Sequence, residues 1–292
     1  MIKFIDNQNF KLVDILRPAI DDSQNARFAV SFVKQSGLAL IQKNIEQCIN
    51  KGGYVEFLIS LDFQITEAKA IKALIGMADS GEPVRCYCYR HTGSSETATY
   101  HPKLYILSGQ NTVNLIVGSS NLTNGGLRTN AEANIIVNAL QTDEITSDVY
   151  ELYNRLKFLR NRFEPDLDYV EQYGEISSMV QRKNKSVLRD RSIRGIMESL
   201  QAREEKFPKL GVSQNDLVGW QKIVFKKLPT GIFSNNDIYA FEHEFQQYYP
   251  SNQNVRAKVR QFYSSFESWA LLSTWGQIDG RDEYAIIRYK NS

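Results

Sequence analysis

The 292 residues include only three cysteines, three histidines and seven prolines, and each scarcity excludes something. Cys48, Cys86 and Cys88 are too few and too badly spaced for a disulfide framework, which points to a reducing compartment. No apolar run approaches the ~20 residues of a membrane span, and the opening MIKFIDNQNF has no signal-peptide shape. The expectation is a cytoplasmic protein without a membrane partner. Net charge is slight, +2 at pH 7, so contact with nucleic acid must rest on local patches. Cys86, Cys88 and His91 invite a reading as metal ligands, but a structural zinc site takes about four donors. Cys86 and Cys88 alternate with Tyr87 and Tyr89 in an expected strand, so burial as small apolar side chains is preferred and no metal or other cofactor is assigned.

What is present organises into two domains, for which the length is comfortable. Strand Arg27 to Val33, helix Gly37 to Asn50, strand Tyr54 to Leu61, helix Thr66 to Ser80 and strand Val84 to Tyr89 alternate in α/β fashion. A Ser/Thr/Gly-rich loop follows Arg90; solvated connection is slightly favoured over a border to substrate. After a further group of strands, Asp143 to Phe163 has helical periodicity, with Pro165 as the stop.

Within that group lies the chemistry. His101-Pro-Lys103-Leu-Tyr-Ile is followed by Gly118-Ser-Ser-Asn121 and then by Asn130-Ala-Glu132. In a strand of period two, His101 and Lys103 share a face. The apolar run Val113 to Val117 ends at Gly118, whose freedom suits a tight turn presenting Ser119 and Asn121, and another run begins after Glu132. Three neighbouring strands would deliver these side chains to one sheet edge. A neutral imidazole can attack phosphorus, dividing a hard displacement into two easier ones. Lys103, Ser119 and Asn121 suit the phosphate oxygens, where charge develops, and Glu132 suits the orientation of His101. Such chemistry requires no metal.

HPK, GSSNLTNGGL and NAE resemble the HKD signature of the phospholipase D superfamily. Ala26-Arg-Phe-Ala-Val-Ser-Phe-Val, Ser36-Gly-Leu and Gly53-Tyr-Val-Glu-Phe-Leu-Ile-Ser are similar to the opening strands of its nuclease branch. Ser108 stands where the family has Asp. The resemblance implies an α/β fold, a phospholipase D-like mixed-sheet sandwich with helices on both faces, over residues 1–165. It also implies a site built from two motifs: one histidine attacks phosphorus, a second protonates the leaving oxygen, and water hydrolyses the phosphohistidine. The chain has one HxK, so the expectation is a homodimer in which His101 of both copies faces one phosphate.

Residues 166–216 read as a helical, basic linker, with Arg182, Lys183, Lys185, Arg189, Arg191 and Arg194 opposed only by Asp190. From 217 to 292 the order is helix (Leu217 to Leu228), helix (Asp237 to Tyr248), helix from Val255, and a hairpin turning near Asp279-Gly280. That is the order of a winged helix. Asn254, Arg256, Lys258 and Arg260 open its third helix: Asn and Arg suit base edges, and Lys258 suits phosphate. This segment resembles the C-terminal winged helix of Dam-replacing, methyladenine-directed restriction enzymes, through Asp237-Ile-Tyr-Ala-Phe-Glu-His-Glu244 and Pro250-Ser-Asn-Gln-Asn-Val-Arg-Ala-Lys-Val-Arg-Gln261. Its wing text, Gly276 to Tyr284, departs from the family's basic one.

Together the halves predict a metal-independent DNA endonuclease of restriction or phage-defence type, acting on double-stranded DNA as a homodimer. A linked methyltransferase or helicase would suit such a system. Two other readings remain: a DNA-binding regulator or sensor with a vestigial HKD site, and an HKD nuclease acting mainly on RNA.

Overall fold

The computed structural model describes residues 2–90, 99–207, 216–229, 231–250, 252–269, 271–278 and 281–286, the last two segments by backbone beyond Leu272. His91 and most of the polar loop lie outside these residues, as does the hairpin turn at 279–280. The chain divides into two units, Met1–Arg194 and Gly195–Ser292.

In the first unit the strands are β1 (Ile2–Ile5), β2 (Asn25–Val30), β3 (Tyr54–Ser60), β4 (Val84–Tyr89), β5 (Lys103–Ser108), β6 (Thr112–Gly118), β7 (Asn134–Leu140) and β8 (Arg162–Phe163). They form one sheet in the order β1-β7-β6-β5-β2-β3-β4-β8. The helices are α1 (Leu12–Asp21), α2 (Gln35–Asn50), α3 (Ala68–Asp79), α4 (Glu144–Lys157) and α5 (Leu167–Arg189). The β2-β3-β4 pairs are parallel and the other pairs antiparallel, so the mixed-sheet expectation holds.

Alternation along the strands divides the apolar residues between two cores. Phe28, Val30, Tyr105 and Leu107 join the core that includes Leu38, Ile41 and Leu74 of α2 and α3. Leu104, Ile106 and Leu115 pack with Tyr153 of α4 on the opposite face. Under α4, Glu56 is 0% exposed; its carboxylate accepts from Lys157 Nζ at 2.6 Å and from the Tyr153 and Tyr54 hydroxyls, each at 2.7 Å. Burial would push its proton affinity up, but these three donors outweigh burial and hold its pKa below the usual carboxylate value. Helix α5, which reads as part of a linker, sends Val170 and Tyr173 into the first core.

Several expected elements are differently bounded. The helix expected to reach Phe163 ends at Lys157, because Arg162 and Phe163 pair with β4 as an edge strand. The expected helix 237–248 breaks at Ala240–Phe241 into two. Helix α6 (Arg191–Glu204) has no buried residue. The second unit has α7 (Gly219–Lys227), β9 (Ile232–Ser234), α8 (Asn235–Tyr239), α9 (Glu242–Tyr248), α10 (Val255–Ser268), β10 (Leu272–Ile278) and β11 (Arg281–Ile286). Its strands form an antiparallel sheet, β10-β11-β9. Val224, Phe245, Val259, Phe262 and Phe266 centre a separate core, completing the winged-helix arrangement.

Candidate active site

Because β5, β6 and β7 are consecutive and antiparallel, the start of β5, the end of β6 and the approach to β7 fall at one sheet edge. The C-terminal end of β2 joins them, since Val30 pairs with Lys103. His101 itself precedes the strand. The expectation that it alternates within a strand is corrected, although Ser31 still donates its N–H to Pro102 O at 3.0 Å. The imidazole is held instead by contact with its neighbours. Lys103 Nζ lies 2.6 Å from His101 Nδ1 and 3.0 Å from Nε2, and donates to Ser31 Oγ at 3.2 Å. Phe32 meets the imidazole edge to face, with ring centroids 5.6 Å apart.

Burial first, and then the Lys103 charge, hold the His101 pKa below its usual value. Burial also lowers the Lys103 pKa, against the opposing field of Glu132. The pair therefore favours a neutral imidazole, the form with a lone pair for phosphorus.

Gly118 leads into the remaining side chains, for a reason other than the expected one. Its φ is not in the left-handed region; rather, a Cβ there would come within 2.3 Å of Ala133 O, just before β7. This close approach brings Ser119 to Glu132. Ser119 Oγ donates to Glu132 Oε2 and accepts from Ala133 N at 2.9 Å, while Asn130 Nδ2 donates to the other carboxylate oxygen at 3.2 Å. The described partners of Glu132 are thus Ser119 and Asn130, and its effect near His101 is felt as a field on Lys103. Asn121 Oδ1 accepts from Phe32 N at 3.0 Å, which leaves the amide NH2 as the end suited to an anion.

Two pieces of this site were not singled out as site residues, although Ser31 and Phe32 fall within the Ala26 to Val33 strand text. Ser31 and Phe32 stand about seventy residues before His101, and only the β2–β5 pairing brings them in. Asn7, buried at the start of the chain, donates to Gly126 O at 2.8 Å and Asn130 O at 3.3 Å while accepting from Leu12 N at 2.9 Å. It ties α1 to the π-helical turn Gly125–Thr129, which separates Asn121 from Glu132. Ser108, in the position of the family's Asp, is at the other end of β5, about 16 Å along the strand from Lys103. It bonds to Tyr150 of α4 on the opposite sheet face.

In the second unit, the Asn254 side chain caps α10 by accepting from Ala257 N at 3.3 Å. Its Oδ1 is thus engaged in the fold, unlike the free amide expected for a base contact. Arg256 donates to Glu242 at 2.8 Å and lies over Tyr239, whose hydroxyl accepts from Arg260 at 3.2 Å. Lys258 donates to Gln261 at 2.8 Å. Helical spacing from the buried Val255, Val259, Phe262 and Phe266 puts Ala257, Gln261 and Ser264 at the centre of the exposed face, with the cations flanking it. Gln261 and Ser264 were missed as candidates, although that buried spacing marks them.

The sheet-edge constellation groups His101, Lys103, Ser119 and Asn121, side chains suited to phosphodiester chemistry. Residues 17–156 match the family model described as "Cardiolipin synthase, PLD-like domain", so this part of the chain carries a phospholipase D-like domain. Residues 219–265 match the model described as "Dam-replacing HTH domain". No curated protein matches the chain. Similar solved structures include NucT from Helicobacter pylori, at 11% identity and TM-score 0.43, covering 56% of this chain and 99% of that one. Nuc from Salmonella typhimurium, a phospholipase D family member, is 18% identical with TM-score 0.42, covering 56% and 97%. Phosphatidylserine synthase from Haemophilus influenzae Rd KW20 is 13% identical with TM-score 0.44, covering 64% and 46%.

Proposed function

We propose that the protein is a metal-independent DNA endonuclease of restriction or phage-defence type, working as a homodimer through a phosphohistidine. The observation that carries this reading is the His101–Lys103 contact at the sheet edge, in the same chain as a helix-turn-helix domain of the Dam-replacing type.

On phosphate binding, Lys103 exchanges its contact with the imidazole for a non-bridging oxygen, and Asn121 donates to another. An imidazole nitrogen of His101 then attacks phosphorus. The new P–N bond forms as the P–O bond breaks, and His101 of the second copy, which must carry the extra proton as imidazolium at that moment, gives it to the departing oxygen. Water, deprotonated by that second imidazole, cleaves the P–N bond and restores both histidines. Glu132 braces Ser119 and balances the Lys103 charge. His101 is exposed at the sheet edge, which leaves room for a second copy. The winged helix supplies the address, with Arg256, Arg260, Gln261 and Ser264 toward the bases and Lys258 toward phosphate.

The direct test is digestion of methylated and unmethylated DNA in excess EDTA, with light scattering at the assay concentration. Cleavage that persists in EDTA, from a dimer, is expected; cutting that requires metal, or an active monomer, would sink the mechanism. Because attack needs neutral His101, the acid limb of single-turnover cleavage should lie below the usual imidazole pKa of about 6.5. Activity should therefore persist as pH falls through that value and disappear only further down. A regulator with a vestigial site would yield no radiolabelled phosphoenzyme, and competition between matched duplex DNA and RNA tests the RNA reading.

A further inference from the structure

The turn after β3 carries an aromatic ring that the fold does not use. Phe63 is 60% exposed, yet ring contacts connect it to the site: its centroid is 6.4 Å from that of Phe32, whose own is 5.6 Å from that of His101. Its backbone is strained. Phe63 and the following Gln64 have φ of 62° and 51°, in the left-handed region that disfavours side chains of their size. Strain of this kind persists only where the surroundings impose it. Here they do: Leu61 N donates to Tyr89 O at 2.8 Å on one side, while on the other the buried Thr66 hydroxyl donates to Ser60 O at 2.7 Å. Tyr173 also donates to Thr66 O at 2.9 Å. Both ends of the turn are pinned, and the ring is held out beside the catalytic edge without being buried.

We infer that Phe63 is the platform on which the base adjoining the scissile phosphate stacks. The inference rests on the nuclease reading above and adds a substrate property to it. Every nucleobase has a π-face, so an exposed ring binds bases without regard to sequence. Inside a duplex both faces of a base are already stacked, so Phe63 can receive only a base drawn out of the helix or already unpaired. The site accordingly acts on a locally opened strand, while the winged helix reads the paired DNA. Phe32 is the buttress: its N–H donates to Asn121, and its ring meets both Phe63 and His101.

The test uses the full-length protein and oligonucleotides carrying 5-iodouracil at successive positions. After irradiation, mass spectrometry should find the adduct on Phe63, from one position beside the cut; adducts elsewhere, with none on Phe63, would overturn the inference. In parallel, an abasic nucleotide at that position should lower kcat/KM by roughly 10- to 100-fold. Phe63→Ala should cause a similar loss on the intact strand and lose little more on the abasic one, whereas Phe63→Trp should retain both activity and the abasic penalty. If Phe63→Ala is as sensitive to the abasic nucleotide as the parent, the stacking role is refuted. Failure of the nuclease reading is separately visible: no strand is cut, while the Phe63 adduct still forms.

Discussion

His101 and Lys103 are braced by groups of the sheet scaffold, whereas among the described residues Arg256 and Arg260 are held by side chains of a small domain. Around the first pair, Ser31, Phe32 and Asn121 are fixed by backbone hydrogen bonds. Around the second, the partners are the side chains of Glu242, partly exposed, and Tyr239, partly buried against the domain's core. Chemistry needs reacting atoms in place before substrate arrives, which rigid elements provide. Reading a DNA sequence tolerates cations that leave one partner for another, and a parked arginine keeps its charge paired until it is needed.

Substitutions can break that contrast in descending order of effect. His101→Ala should lower cleavage by on the order of 10⁴-fold or more, with DNA affinity by filter binding little changed. Lys157→Met would strand the buried Glu56 carboxylate and should cost the first unit about 3–5 kcal/mol, read from denaturant unfolding, while the winged helix keeps its own transition. Since the folded pKa of Glu56 is depressed, the stability from this cluster is present above the usual carboxylate value and is lost as pH falls through the lower folded one. In Lys157→Met that acid dependence should shrink. Arg256→Ala should weaken specific binding by about 1–3 kcal/mol for a lost base contact, measured by titration of duplexes. Glu242→Gln removes only a surface partner of Arg256, so stability should change by about 1 kcal/mol or less. Its more telling effect would be tighter binding to non-specific DNA at low salt; unchanged affinity would show that the parking contact has no bearing on DNA.

Sequence reading was strongest where neighbours along the chain determine the outcome. The strands around HPK, GSSN and NAE show in their apolar runs, and their adjacency follows from short connections. It was weaker where a partner lies far away in sequence. Nothing local marks Ser31 as the acceptor for Lys103, or Asn7 as a tie to Gly126, because pairings among distant strands bring them together. Charge patterning also misled at α5: its many charges read as a linker, yet Val170 and Tyr173 on one side of its first turns complete a core. The pairing of Arg256 with Glu242 escaped notice because it depends on how two helices cross. Ser108 shows the reverse case. A departure conspicuous in the motif proves remote from the phosphate site once the strand is laid out.

The Asn7 tie gives the site a place in time. Strand β1 is the earliest of the described strands to be synthesised, but its partner is β7, and the register joins Ile2 to Val137 and Ile5 to Asn134. A contact spanning so much chain must wait for the intervening strands, since closing the loop costs entropy before the pairing returns any. Until Asn7 docks, the turn before Glu132 lacks its anchor. The nascent chain would thus hold its histidine early and its working geometry late, an order of assembly that keeps the sheet-edge site incomplete while the protein is still being made.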